Sequence, residues 1–387
     1  MAMRYFHVLL SLVLVLMVIA GCFGESPVAQ ETRSRIEQKA ETAKGLIRQR
    51  AQSGEDISGV LATMEAAGGR FDMGDVAGGE TLLDQALAKL QSGESLTYEF
   101  GEPATDLYSD PQPVTVQGYD ASLGIMEPFI TRDGQYLLFN NGTAAHNTEG
   151  NKRDPDLHYA KRINDRTFQY RGEIRGANSN MVDGAPSLDQ NNRLFFTSPR
   201  VYQEKLSTIH TGILKNGEAT DVGLVSGNIS PDKPGWLNMD AEISADGKTL
   251  YYTVNQWNTD FNVPKTSDLQ VAHWTGGRFE RRDNSDAIFH NINTGELEYA
   301  PSLSADQLEL SFTRSNIKII DGKFRGVVSR ILVATRQSPR EPFGEPRWIR
   351  AITGFVEGST ITPDKKILYY HKKEAGTFRL YRVRRTP

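Results

Sequence analysis

The chain has 387 residues, 38% of them hydrophobic and 24% charged, with a formal net charge of −4. These values suit a globular chain of more than one domain and lack the basic field that nucleic-acid binding needs. A single cysteine, Cys22, excludes an intramolecular disulfide and a cysteine metal cluster.

The first residues read as an address. Arg4 supplies a positive charge, Val8–Ala20 is apolar apart from Ser11, and the run is short for a bilayer span, which is the layout of a secretory signal. The small residues Ala20-Gly21 before Cys22 resemble the lipobox of bacterial lipoproteins. That resemblance implies a signal peptide over 1–21 and a lipidated Cys22 that holds the chain at a membrane surface. Phe23 in place of Asp implies, by the same resemblance, the outer membrane of the cell envelope. The polar stretch to Thr32 then reads as a tether covering 22–32.

Residues 33–95 carry helical periodicity. Ile36, Ala40, Ala43 and Ile47 share one face, with Glu, Lys and Arg opposite. Ile57, Val60, Leu61 and Met64 mark a second helix, and Leu82, Leu83, Ala86, Leu87 and Leu90 a third, with Gly68-Gly69 and Gly78-Gly79 read as punctuation. The pair vaguely resembles a tetratricopeptide hairpin, but one hairpin is not an array, and a spacer or packing cap is expected.

From Gly101 onward the period becomes strand-like, and one hairpin recurs five times. The copies are EPFITRDGQYLLFNN from Glu127, APSLDQNNRLFFTS from Ala185, DAEISADGKTLYYTVN from Asp240, APSLSADQLELSFTR from Ala300 and GSTITPDKKILYYHK from Gly358. Each has a two-residue turn signal: Asp133-Gly134, Asn191-Asn192, Asp246-Gly247, Asp306-Gln307 or Asp364-Lys365. Each ends in an aromatic: Phe139, Phe196, Tyr252, Phe312 or Tyr370. These aromatics are 57, 56, 60 and 58 residues apart, and third and fourth strands fit into each interval. Four strands at a fixed period predict an all-β domain over 101–387, a five-bladed β-propeller of four-stranded blades. The last copy has only three strands, so a strand near 113–117, Val114-Thr115-Val116, is expected to close the ring.

The pattern P-x-x-S-x-D-G-x-x-L-Y-Y, clearest in Ala241–Tyr252 and Pro301–Phe312, resembles the TolB-type, WD-repeat-like propellers. That family includes binding scaffolds as well as enzymes, and its members often have six shorter blades. Five long blades resemble instead the propeller glycosidases of the arabinanase and xylosidase type. Glu357-Gly358-Ser359 is similar to the Glu-Gly-Pro entry that holds their general acid.

First strands line a propeller's channel, and their entries here are acidic: Glu127, Asp183, Asp240, Glu298 and Glu357, with Glu242 inside the third. Crowded carboxylates shift one another's pKa values, and inverting glycosidases use such a pair as acid and base. Glu357, with Asp240 or Glu127, is therefore the candidate catalytic pair. Trp236, Trp257, Tyr299 and Phe129 lie near enough in sequence to stack on a sugar, and Asp183, Glu242, Glu298, Trp236, Trp257 and Tyr299 form the candidate binding set. Strand entries are also turn-adjacent positions where Asp and Glu are common. The leading expectation is accordingly a ligand- or protein-binding scaffold of the envelope, with an envelope protein or a glycan as partner and glycoside hydrolysis as the alternative. Asp154-Pro155-Asp156 and Asp283-Asn284-Ser285-Asp286 offer oxygen ligands without an EF-hand pattern, and the histidines lack zinc spacing, so no metal and no cofactor is expected.

Overall fold

A computed structural model describes residues 27–52, 55, 57–72, 75–92, 102–142, 155–258, 263–320 and 323–387. The signal segment and Cys22 lie outside these residues, as does Asp154. The chain divides into two compact units, one helical and one built of β-strands.

Three helices make the first unit: α1 (Pro27–Gln52), α2 (Ser58–Asp72) and α3 (Val76–Ser92). Ile36, Ala40, Ala43 and Ile47 are buried together with Val60, Met64, Phe71, Leu83 and Leu90, as the periodicity requires. Two expectations change. The second half of the tether is helical, because α1 begins at Pro27, a residue suited to a first turn. The glycine pairs do not interrupt the chain but lie inside α2 and α3. A Cβ on Gly79 would stand 2.6 Å from the Phe71 ring, so that glycine lets the ring pack against the helix. The Asp75 carboxylate caps α3 by accepting from Gly78 N at 2.9 Å.

In the β unit, five antiparallel meanders follow one another. The first holds β4 (Met126–Ile130), β5 (Tyr136–Asn140), β6 (Leu157–Asn164) and β7 (Thr167–Glu173). The second holds β8 (Gly184–Leu188), β9 (Arg193–Thr197), β10 (Ile209–Lys215) and β11 (Glu218–Leu224). The third holds β12 (Trp236–Ile243), β13 (Thr249–Asn258), β14 (Val263–Trp274) and β15 (Phe279–Arg281). The fourth holds β16 (Leu297–Leu303), β17 (Glu309–Ile320), β18 (Lys323–Thr335) and β19 (Arg347–Ile349). The fifth contributes β20 (Val356–Ile361), β21 (Ile367–Glu374) and β22 (Thr377–Arg385). First strands touch in the cyclic order β4, β8, β12, β16, β20 and back to β4, which is a β-propeller fold.

Closure differs from the expectation. The fifth meander is completed by β2 (Tyr108–Pro113), antiparallel to β22, and not by the segment after it. Val114 still donates to Leu380 O, but β3 (Thr115–Gln117) crosses to the first sheet and runs parallel to β7. Before them, β1 (Ala104–Thr105) runs parallel to β19 of the fourth meander. Residues 104–117 therefore tie three sheets together. Sequence could not separate these short edge pieces, since each is too brief to carry a period.

The aromatic pairs explain the packing. Successive strand residues face opposite sides, so Phe195 and Phe196, Tyr251 and Tyr252, and Tyr369 and Tyr370 each serve two neighbouring sheet interfaces. Burying such side chains contributes about 1.5–3 kcal/mol each before entropy is counted. The turns also differ from the two-residue type. Only their second residue is left-handed (Gly134, Asn192, Gly247, Gln307, Lys365), and in the four turns other than the second a preceding hydroxyl braces the aspartate, as Ser244 Oγ does by donating to Asp246 at 2.6 Å. That bracing gives the S-x-D-G pattern its physical meaning.

Candidate functional site

Every first strand is broken by a bulge with one left-handed residue: Glu127, Ala185, Asp240, Ala300 and Gly358, at φ +45 to +54°. For residues other than glycine this conformation costs about 1–2 kcal/mol, so the surroundings must hold it. They do so across the seams. Ala185 N donates to Asn140 Oδ1, Asp240 N to Thr197 Oγ1 and Gly358 N to Thr313 Oγ1, each at 3.1 Å. Ala300 N donates to Asp240 Oδ2 at 3.1 Å, and Glu127 N donates to His371 Nδ1 at 3.2 Å. A second belt binds the residues three further on. Ile243 N donates to Ser187, Leu303 N to Glu242, Ile361 N to Ser302 and Ile130 N to Thr360. The side chains around the axis are thus the seam bonds of the ring.

Three of the expected acids converge there. Glu127 and Glu357 flank the His371 ring, with Nε2 at 3.9 and 3.6 Å from their oxygens, beyond direct hydrogen bonding. Because Nδ1 accepts from Glu127 N, the neutral ring carries its proton on Nε2, toward the two carboxylates. Tyr299 donates to Glu357 Oε1 and meets Ser315 Oγ at 2.8 Å. Asp240 also accepts from Thr253 Oγ1 at 3.3 Å. Burial, then the charges of Asp240 and Glu357, pushes the Glu127 carboxyl well above its usual range. Burial and Glu357 raise Asp240 to about 6, against the pull of Ala300 N–H and the Thr253 hydroxyl. Gly358 is fixed by this crowd. A Cβ there would fall 2.5 Å from Glu127 Oε2 and 2.8 Å from His371 Cε1.

Glu242 stands apart although it lines the same cavity. Arg132 pairs with it at 2.9 Å, also reaches the carbonyls of Ile243 and Leu303, and lies over the Phe129 ring at 5.0 Å. Burial raises the Glu242 carboxyl, and Arg132 opposes that. Phe129 is only 3% exposed under this cover.

The structure does not bring Asp183 and Glu298 to the axis, contrary to the expectation. They occupy an equivalent register two residues before the bulge, are fully buried, and pair with Arg200 and Arg314. Asp183 braces Ser179 and Glu298 braces Thr294 in the loops that lead into their strands. Trp236 and Trp257 do not line the axial cavity either. Trp257 follows a register shift at the far end of β13, and Trp236 borders a different groove. His371, Arg132, Thr253 and Thr313 were not singled out by sequence reasoning. One signal could have found most of them. His371, Thr253 and Thr313 all follow the terminal aromatic of a copy, where the others have Asn140 and Thr197.

The axial cavity measures about 30 Å³, room for a water or two. A larger groove of about 550 Å³ opens beside the third meander, lined by Trp236, Asp268, Gln270, Asp286 and His290 among others.

Fold and axis together define a β-propeller with a cluster of weakly compensated carboxylates at its centre. No family model and no curated relative matches the sequence. Among solved structures, it is similar to a glycoside hydrolase at 11% identity, covering 74% of this chain and 92% of that one with a TM-score of 0.46. A family 117 glycoside hydrolase from Zobellia galactanivorans is similar at 11% identity over 72% and 91%, TM-score 0.46. TolB from Acinetobacter baumannii is similar at 15% identity over 81% and 70%, TM-score 0.36. The similar structures thus include both hydrolases and a TolB protein, and the likeness favours neither activity.

Proposed function

We propose that the chain is a lipid-anchored, five-bladed β-propeller that serves as a ligand- or protein-binding scaffold of the cell envelope. Each meander is one blade, with β2 as the outer strand of the fifth. The cyclic contacts of the five first strands and the five sets of seam bonds support that count. The reading rests on one observation: the carboxylates at the axis act as acceptors across the seams, Asp240 for Ala300 N, Glu242 for Leu303 N and Glu357 for the Tyr299 hydroxyl, which gives them a structural reason to be there. The cavity that Glu127, Asp240 and Glu242 line measures about 30 Å³.

Hydrolysis is the second reading, and the raised carboxyls of Glu127 and Asp240 favour it. A general acid needs such a shift. An inverting pair, however, needs about 6.5–9.5 Å and an open approach for substrate. A glycan-hydrolysis screen with wild type and Glu357→Gln separates the two readings. No turnover in either is the expected result. Turnover that Glu357→Gln abolishes would establish the hydrolase.

The envelope address rests on Ala20-Gly21-Cys22. Cys22→Ala should move the protein from the membrane to the soluble fraction, and retention of that variant at the membrane would remove the anchor from the proposal.

A further inference from the structure

Of the five bonds that hold the left-handed bulge residues, the one that closes the ring has a different kind of acceptor. Asn140, Thr197 and Thr313 accept through an amide or hydroxyl oxygen, and Asp240 through a carboxylate that Thr253 braces. An amide or hydroxyl does not titrate near neutral pH, and a protonated carboxyl still accepts. Across the seam between the fifth and first meanders, Glu127 N instead donates to His371 Nδ1 at 3.2 Å. An imidazole that gains a proton becomes a donor at both nitrogens. Of these five acceptors, His371 is the one that protonation turns into a donor.

The ring is enclosed. His371 is fully buried, and Phe378 of β22 meets it edge-on with the ring centres 4.9 Å apart. Its charged neighbours are Glu127 on β4 and Glu357 on β20, while Asp240 of β12 acts on Glu127 and Tyr299 of β16 donates to Glu357. On its own strand, Lys373 lies over the Phe378 ring at 5.3 Å. Nε2 stands 3.9 and 3.6 Å from the two glutamates and has no hydrogen bond among the described residues, so a protonated ring has carboxylates on that side. On the other side, a proton on Nδ1 would face Glu127 N–H, donor against donor. Glu127 is itself left-handed at φ +45°, a conformation that its neighbours must hold. The bond from Ile130 N to Thr360 Oγ1 at 3.1 Å does not depend on the imidazole.

We propose that His371 is an acid-sensitive latch: protonation of its ring releases Glu127 N–H and loosens the seam between the fifth and first meanders. Glu127 also lines the axial cavity, so the latch couples acid to the shape of that cavity. Glu127 and Asp240 respond in the opposite sense, since their raised carboxyls add stability to the whole fold as pH falls. Acid therefore loosens one seam while those two carboxyls strengthen the rest, and the two effects separate by location.

The test is amide hydrogen exchange of the full chain, read by mass spectrometry and corrected for the intrinsic rate at each pH. Between about pH 8 and about pH 5, protection of β4 should fall at least about tenfold relative to β8, whose bulge bonds to Asn140. His371→Asn supplies an acceptor that does not titrate, as Asn140 does at the equivalent place, and should hold that ratio within about twofold. His371→Gln serves the same purpose if the first variant does not fold, and Asp240→Asn should keep the wild-type fall. A wild-type ratio that does not move with pH would overturn the latch without any variant. A fall that persists in His371→Asn would overturn it too, and so would one that Asp240→Asn removes, since the titrating group would then be the carboxyl. Turnover in the hydrolysis screen, or its absence, leaves the latch untouched.

Discussion

Two registers of the same inner strands carry carboxylates, and their electrostatics are opposite. Two residues before the bulge, Asp183 and Glu298 are buried against Arg200 and Arg314 and brace the loops that enter their strands. At the bulge or next to it, Glu127, Asp240 and Glu357 crowd one another, with His371 beside Glu127 and Glu357, and Arg132 is engaged by Glu242. A shift of one or two residues along the strand, at a bulge that breaks the alternation of faces, moves the side chain from a sealed loop to the ring centre. Residue type at a strand entry therefore does not define a role; the register and the nearest cation do.

The sharpest way to break this comparison is to neutralise one acid from each set. Glu298→Gln leaves Arg314 buried with less compensation, and urea unfolding should show a loss of about 3 kcal/mol or more. Glu357→Gln removes a charge from a crowded site and should cost less than about 1 kcal/mol at pH 8. Equal losses would erase the distinction between the two registers.

A pH series sharpens it further. Asp240 titrates near 6 in the fold, above its ordinary value, so the stability it contributes is complete below about pH 4 and is lost as pH rises through about 6. Glu127 acts in the same direction. For Asp240, a rise from near 4 to about 6 is worth at most about 3 kcal/mol. Asp240→Asn should therefore be more stable than wild type at pH 8 by up to that amount and similar to it at pH 4. A variant that is less stable than wild type at pH 8 would mean that the carboxylate's bonds to Ala300 and Thr253 outweigh its burial.

Smaller effects follow for the seams themselves. Thr313→Val removes the acceptor of Gly358 N and should cost about 1–2 kcal/mol, measured by chemical unfolding.

Much of the scaffold is legible in the chain. The turn aspartates, the aromatic ends and the period near 58 residues are local signals, and each corresponds to a hairpin in the fold. The axial site is half legible. Glu127, Asp240, Glu357 and Tyr299 stand out by their places at strand entries, but Asp183 and Glu298 group with them because sequence offset alone does not reveal a bulge. His371 and Arg132 escape a sequence reading because their partners lie in other sheets, 244 and 110 residues away.

By itself, then, the sequence determined the repeating hairpin, its turn chemistry and the helical faces packed around Ile36 and Phe71. Those depend on residues a few positions apart. The tertiary structure decided which acids share a space, which strand closes the ring, and that Trp236 belongs to a rim groove and not to the axis. These are contacts between distant segments, and they are set by how the meanders meet.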